Sequence, residues 1–261
     1  MQKFFTRTLL CSSLLFLLGG TTASYAQLIA DSVKTGGSRN YLVKVNLLGL
    51  PLNNFSFQFE RAIGGKTAVG LGIRYMAKSG IPLSGTVEGL VDDPEAWNNL
   101  QQFKTGNIAF TPEVRFYMGK SVFRGFYVAP FARYSKYSAE LPVSFDVGDD
   151  AGNTVTQTLP LRGDMTTITG GLLLGAQWKL SKLVYLDWSM LGPQYGKSSG
   201  NIKGTRSLSA DEQTALREEL EDLDDLPILN TSSTVDNNGA KVDFKGPWAG
   251  VRSSFSIGFR F

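Results

Sequence analysis

The chain has 261 residues, with 26 Lys and Arg against 23 Asp and Glu, one cysteine and no histidine. Without histidine no Ser-His or Asp-His relay can be built, and a formal charge of +3 supplies no basic field for nucleic acid. Beyond the N-terminal region no run of eighteen apolar residues occurs, so the chain cannot cross a membrane as helices.

Lys3 and Arg7 precede an apolar run from Leu9 to Leu18, followed by Gly19-Gly20 and the small-residue stretch Thr21 to Ala26. This order reads as a secretory signal peptide, residues 1–26, with cleavage after Ala26. Cys11 lies inside the apolar run as filler, so the exported chain has no thiol for a disulfide or a metal. Loss of Lys3 and Arg7 leaves 24 basic against 23 acidic residues, a net of +1. Residues 27–40 then form an N-terminal periplasmic segment, and 41–261 form one domain with no linker-like break.

The domain reads as strands, because a strand pleats with period two. Tyr41, Val43, Val45 and Leu47 oppose Lys44 and Asn46 in the first, and Leu50 to Asn53 makes a short connection. Phe55, Phe57 and Phe59 oppose Ser56, Gln58 and Glu60 in the second, with Gly64-Gly65 offering positive φ for a tight hairpin. The third sets Thr67, Val69, Leu71, Ile73 and Tyr75 against Gly70, Gly72 and Arg74. After a long polar connection from Ala77 to Lys104, the fourth sets Ile108, Phe110, Pro112, Val114 and Phe116 against Asn107, Ala109, Thr111, Glu113 and Arg115. The fifth runs from Gly125 to Tyr137, where Arg133 implies that Tyr127, Ala129 and Phe131 point inward. The sixth, Thr167 to Leu180, sets Ile168, Leu172, Leu174 and Trp178 against Thr169, Gly171, Gln177 and Lys179. The seventh sets Val184, Leu186, Trp188 and Met190 against Tyr185, Asp187 and Ser189. The eighth begins near Trp248 and ends with Phe255, Ile257, Phe259 and Phe261 on one face. Pro112 and Pro130 remove ladder donors and predict bulges.

After the first hairpin, short connections (Gly64 to Lys66, Gly119 to Arg124, Ser181-Lys182) alternate with long ones. Eight strands with that asymmetry predict an all-β, antiparallel transmembrane β-barrel with short periplasmic turns and long extracellular loops. Phe255, Ile257, Phe259 and Phe261 are then a C-terminal assembly signal, and this strand pairs with Tyr41 to Leu47. Tyr41, Phe116, Trp178, Phe259 and Phe261 fall at the periplasmic end, and Phe55, Tyr75, Phe110 and Trp188 at the outer end, as two aromatic girdles. An Arg or Lys facing lipid at mid-depth costs roughly 2–4 kcal/mol. Lys44, Glu60, Arg74, Glu113, Arg115, Arg133, Lys179, Asp187, Arg252 and Arg260 must therefore face the lumen, which eight strands leave only wide enough for side chains. A plugging network and a conductive lumen are both open to that set.

In the last long loop Ser209 and Glu212 match a helix capping box, and an acidic helix follows to Asp225, ended by Pro227. Asp222, Asp224 and Asp225 are a weak candidate for a cation or a basic partner, lacking the glycine and alternation of a calcium loop; a solvated surface helix explains them equally. Asp93 to Trp97 reads as a capped short helix whose tryptophan packs locally, anchors a partner or lies on headgroups. A carboxylate pair such as Glu60 and Glu113, or a Ser-Lys dyad, is formally open to chemistry. Arginines beside such carboxylates would depress their pKa values. Gly70-Leu71-Gly72 lies inside a strand and is no phosphate loop. No enzyme activity, cofactor or metal is expected.

The segments Tyr41-Leu42-Val43-Lys44-Val45-Asn46-Leu47-Leu48-Gly49-Leu50-Pro51, Phe57-Gln58-Phe59-Glu60-Arg61-Ala62-Ile63 and Gly70-Leu71-Gly72-Ile73-Arg74-Tyr75-Met76 resemble small outer-membrane β-barrel proteins of the Bacteroidetes, the uncharacterised porin-like or OmpA-like barrels. The resemblance implies the fold and the Gram-negative outer membrane, with no defined activity. Asp31-Ser32-Val33 looks like the short O-glycosylation tripeptide of that phylum, at Ser32. The expected role is therefore non-enzymatic: a monomeric barrel in contact with outer-membrane lipid and the barrel-assembly machinery, presenting loops to an unknown extracellular partner. A narrow porin-like channel is the first alternative, and a soluble lipocalin-like binder of lipophilic ligands, with the faces reversed, is the second.

Overall fold

The computed structural model describes residues 40–80, 101–148, 154–210, 213–214, 216–217 and 230–261, with backbone alone at 141–148 and 154–159. The signal peptide, Ser32, the segment Asp93 to Trp97 and the triplet Asp222, Asp224 and Asp225 lie outside the described residues. Nine strands make one antiparallel sheet: β1 (Tyr41–Asn46), β2 (Asn54–Ala62), β3 (Thr67–Ser79), β4 (Lys104–Tyr117), β5 (Gly125–Gly148), β6 (Thr154–Lys179), β7 (Val184–Thr205), β8 (Asn230–Asp236) and β9 (Gly239–Arg260). Each pairs with the next as far as β7, which pairs with β9, and β9 pairs back onto β1 to close a ring. The closing register runs from Leu42 opposite Arg260 to Asn46 opposite Ser256. Just past the end of β9, Phe261 exchanges backbone hydrogen bonds of 3.1 and 3.0 Å with Tyr41, the first residue of β1, and their rings stack at 5.9 Å.

Among the described residues there are nine strands where eight were expected, because β8 arises in what reads from sequence as a loop. It pairs with the N-terminal part of β9, Asn230 opposite Lys245, and so shares an edge of β9 with β1 without overlapping it. The hairpin between them turns at Asn237-Asn238, where the Asn238 amide donates to Asp236 Oδ1 (2.7 Å) and Gly239 takes φ of 135°, a conformation that costs glycine little.

One end of the ring carries the short turns and the chain's Phe261; we call it the turn end, and the opposite one the loop end. Strands β5, β6, β7 and β9 run to 22–26 residues, against 6–14 for β1 to β4. They therefore rise past the others at the loop end. The fifth strand ends at Gly148 instead of Tyr137, and the sixth starts at Thr154 instead of Thr167; the two stay in register to Gly148 opposite Thr154. Here Lys78 Nζ donates to Glu140 Oε1 (2.9 Å); this bond, ahead of the lysine's charge, holds the Glu140 carboxyl below its ordinary range.

The faces separate as the pleat requires. Phe57, Leu71, Phe110, Ile168, Leu172, Leu174, Trp188 and Leu191 point outward at 40–65% exposure, whereas Leu42, Ala68, Ala129 and Leu173 are fully buried inside. The outward apolar run spans Ile108 to Phe116 on β4, Phe126 to Tyr134 on β5, Ile168 to Trp178 on β6 and Val184 to Tyr195 on β7. Outward positions then turn polar at Lys136, Thr166, Lys197 and Lys245. Trp188, expected at the outer end, sits midway along its run, because a bulge between Ser189 and Gly192 carries β7 on to Tyr195.

Two further expectations are corrected. The prolines mark no bulge: β4 and β5 keep one register from Lys104 opposite Glu140 to Tyr117 opposite Tyr127, and the ladder only skips pairs around Pro112 and Pro130. Both missing donors fall on this one seam, so it loses hydrogen bonds without slipping. Gly64 and Gly65 do not take positive φ; the turn closes by the Ile63 and Gly64 amides donating to the Thr67 carbonyl at 3.0 and 3.2 Å.

A side chain at Gly175 would place its Cβ 2.3 Å from Tyr127 Oη and 2.8 Å from the Trp188 carbonyl, whereas one at Gly65 meets open space. Gly175→Val should therefore lower the unfolding free energy by about 1–3 kcal/mol through overpacking, read from the urea midpoint of the purified chain, and Gly65→Ala should leave it unchanged.

Candidate functional site

The ring's interior is the candidate site. Its turn end is closed by a residue that no periodicity points to. Phe123, in the β4–β5 turn, adopts φ of 64° and is fully buried, with Tyr117 at 6.2 Å and Tyr185 at 6.4 Å, both edge-on. The Val122 amide donates to the Gly65 carbonyl (2.7 Å) and fixes this turn beneath its neighbour. Arg260 stacks over Phe123 (5.2 Å) and donates to Tyr185 Oη (2.9 Å).

Above this floor lies the ion network. Lys44 of β1 donates to both Glu60 of β2 and Asp187 of β7. Arg115 of β4 reaches Asp187 Oδ2 (2.6 Å) and Glu60 Oε1 (2.9 Å) with Nη1, and Glu113 with Nε. Arg252 of β9 donates to the other oxygen of Glu113 (2.7 Å). Three cations, Lys44, Arg115 and Arg252, thus meet three carboxylates, Glu60, Glu113 and Asp187. Neutral donors complete the carboxylate shells: Tyr117 Oη donates to Glu60 (3.0 Å), Tyr127 Oη to Asp187 (2.8 Å), and Gln58 Nε2 to Glu113. Arg115 also lies 4.2 Å over the Tyr127 ring. Lys44, Glu60, Arg115, Gln177 and Asp187 are each at most 1% exposed. Charges so far from water persist only when paired and hydrogen-bonded.

Of the ten charged residues expected inside, Lys44, Glu60, Glu113, Arg115, Asp187 and Arg252 form this network, and Arg260 joins the floor. Arg74 and Arg133 face the same interior, nearer the loop end, and meet no carboxylate among the described residues. Arg133 Nε donates to Ser135 Oγ (3.1 Å), and Arg74 Nε is buried without a hydrogen-bond partner. Lys179 is a correction. It has the right parity but lies at the exposed last position of β6, where water solvates it. Tyr127, Gln58 and Gln177 lie on the inward faces that the sequence assigns them, but their part in the network was not anticipated; nor were Tyr117 and Phe123, although Tyr117 shares strand parity with Arg115.

Of the acidic loop, residues 210, 213, 214, 216 and 217 are helical, the Gln213 amide donates to the Ser209 carbonyl (3.0 Å), and Arg217 Nη2 reaches the Val235 carbonyl of β8 (2.9 Å).

These features define a class: a closed antiparallel sheet, apolar outside, whose interior is filled by a hydrogen-bonded ion network. The profile of the family described as "Protein of unknown function (DUF3575)" matches residues 13–196, and the chain belongs to that family. The match takes in β1 to β6 and most of β7 and ends before β8 and β9. No curated protein matches the chain.

Removing one member of a buried, balanced cluster strands its partners, a loss of roughly 3–5 kcal/mol. Lys44→Met, which leaves Glu60 and Asp187 sharing Arg115, should destabilise by about that amount in urea denaturation. Lys44→Met combined with Glu60→Met should cost less than the sum of the two single changes, and the double-mutant cycle measures the difference.

Proposed function

We propose that the chain is an integral outer-membrane β-barrel of the kind its N-terminal segments resemble in the Bacteroidetes, and that it works without enzymatic chemistry, as a structural wall carrying binding loops. In this reading β1 to β7 with β9 form an eight-stranded transmembrane wall, and β8 with the loop-end halves of β5, β6, β7 and β9 stands outside the bilayer. The observation that carries it is the belt of exposed apolar side chains running around the ring. A transmembrane strand needs about 9–11 residues; the apolar runs Ile108 to Phe116 and Ile168 to Trp178 match that length. A soluble lipocalin-like binder would need these side chains inside, and a soluble protein rarely exposes so large an apolar area. Tyr41, Phe116, Phe126, Trp178, Phe259 and Phe261 give the turn end an aromatic girdle, and Tyr75, Tyr134 and Tyr195 give one to the loop end.

The porin-like alternative is weakened by the interior. The Phe123 floor and the network above it crowd the cross-section with large side chains, of which Lys44, Glu60, Glu113, Arg115, Tyr117, Phe123 and Asp187 are each at most 4% exposed, and this packing argues against an open aqueous path. The function then rests with what the tall strands present, since binding residues concentrate on loops held by a rigid scaffold. β5 to β7 and β9 provide that scaffold on one side of the ring.

Expressed with its leader in a Gram-negative host, the chain should fractionate with the outer membrane and migrate differently on gels before and after boiling. Leu172→Arg, mid-belt, should cost about 2–4 kcal/mol of stability in bilayers. Deleting Phe261 should reduce the heat-modifiable fraction, and planar bilayers should show no steady conductance. Recovery as a soluble monomer without detergent would sink the membrane reading; sustained ion current would overturn the sealed interior.

A further inference from the structure

The described interior carries six inward cations, Lys44, Arg74, Arg115, Arg133, Arg252 and Arg260, against three carboxylates, an excess of three. The network neutralises three of the cations and the floor holds Arg260 against Tyr185 and Phe123. What is left is a pair of guanidiniums, Arg74 and Arg133, in the loop-end half. They are close. Arg74 lies across the ladder from Ala109, which lies across from Ser135, and Arg133 turns its guanidinium toward that same Ser135 hydroxyl. Arg252 approaches from below, its Nη2 only 4.0 Å from where a Cβ on Gly72 would sit, and both Arg74 and Arg252 are near enough to act on Arg133 electrostatically.

We propose that this half of the interior is a binding site for a phosphoryl group, gripped by Arg74 and Arg133 with Arg252 behind them. Like charges gathered away from water repel strongly, and the buried Arg74 Nε with no partner is the donor that such a ligand satisfies. Gly72 and Ala109 put no long side chain at this level, and Ser135, Thr111, Thr167 and Ser198, all buried, place hydroxyls there. A phosphoryl group carries about −1.5 to −2 charges at neutral pH with three acceptor oxygens, matching two guanidinium forks; a single carboxylate would neutralise only one of them. Entry is from the loop end: Arg115 is fully buried and Arg252 has a side chain 14% exposed, whereas Arg74, Tyr137 and Trp248 are half-buried, with Arg133 and Ser135 buried beside them. The site needs the ring but not the bilayer, so its failure would leave the outer-membrane reading standing.

The test is the thermal unfolding of the full chain, in detergent or buffer according to how it purifies, in phosphate against chloride at equal pH and ionic strength. Phosphate should raise the transition temperature, with stabilisation growing as the logarithm of its concentration. Arg74→Met with Arg133→Met should abolish that rise while the chain still folds, since removing two uncompensated cations relieves repulsion. Arg74→Gln alone, followed by calorimetric titration, should weaken binding about tenfold or more. A second arm uses a short-chain phosphatidic acid below its micellar concentration: stabilisation by it alone identifies a lipid headgroup as the source of the phosphoryl, and stabilisation by inorganic phosphate identifies a free solute. No stabilisation by either, or stabilisation that survives in the double variant, overturns the proposal.

Discussion

Closure of the sheet through β1 and β9 is the constraint from which the rest follows. A pleated strand sends alternate side chains to opposite faces, and a one-residue slip in any pairing would exchange those faces. Once Leu42 lies opposite Arg260 and Asn46 opposite Ser256, one face of every strand is enclosed. Lys44, Glu60, Glu113, Arg115 and Asp187 then have no water to turn to and must find one another, while Phe57, Leu71, Leu172 and Leu191 are committed to the surroundings. The hydrogen bonds between Tyr41 and Phe261 extend this seam by one residue past the end of β9.

The enclosed side chains are graded along the ring's axis. Aromatic packing around Phe123 crowds the turn end, a neutral set of three cations and three carboxylates occupies the middle, and Arg74 and Arg133, which meet no carboxylate among the described residues, hold the loop-end half. The middle is the costly part to disturb. Each of its carboxylates has at least three donors, so any single removal strands a charge, whereas an apolar replacement of the whole cluster would cost little. The gradient also divides one interior in two: the lower part is charge-balanced, and the upper part carries positive charge toward the side where the long strands stand.

The strands nearest the turn end were legible because both requirements act there at once, apolar outside and polar or small inside. The alternation of Phe55, Phe57 and Phe59 with Ser56, Gln58 and Glu60 marks a strand with two unlike faces, and the parity of Arg133 was enough to orient Tyr127, Ala129 and Phe131 correctly. The loop-end halves of β5, β6, β7 and β9 were not legible, because both of their faces are polar and the period-two contrast vanishes at Lys136, Thr166 and Lys197. The same loss hid β8, although Asn238-Gly239 after Thr234-Val235 is a hairpin signal. Pro112 and Pro130 misled because a missing donor implies lost hydrogen bonds, not a lost register. Membership of the charged interior was readable from parity, but the partners were not: that Arg252 reaches Glu113, or that Lys44 bridges Glu60 and Asp187, depends on which strands the ring brings face to face. Phe123 was invisible to any periodicity, since it enters from a turn through an unusual backbone angle.

The central claim is that the belt faces lipid and the network faces inward, and it can be read residue by residue. The chain's one cysteine, Cys11, lies in the expected leader, so single cysteines at 166 to 174 on β6 can carry spin labels in reconstituted bilayers without a competing thiol. Labels at 168, 170, 172 and 174 should be accessible to oxygen and shielded from a water-soluble nickel reagent, labels at 167, 169, 171 and 173 should be shielded from oxygen, and at 166 the label should return to water. A pattern without the period of two, or nickel access at the even positions from 168 to 174, would contradict the account.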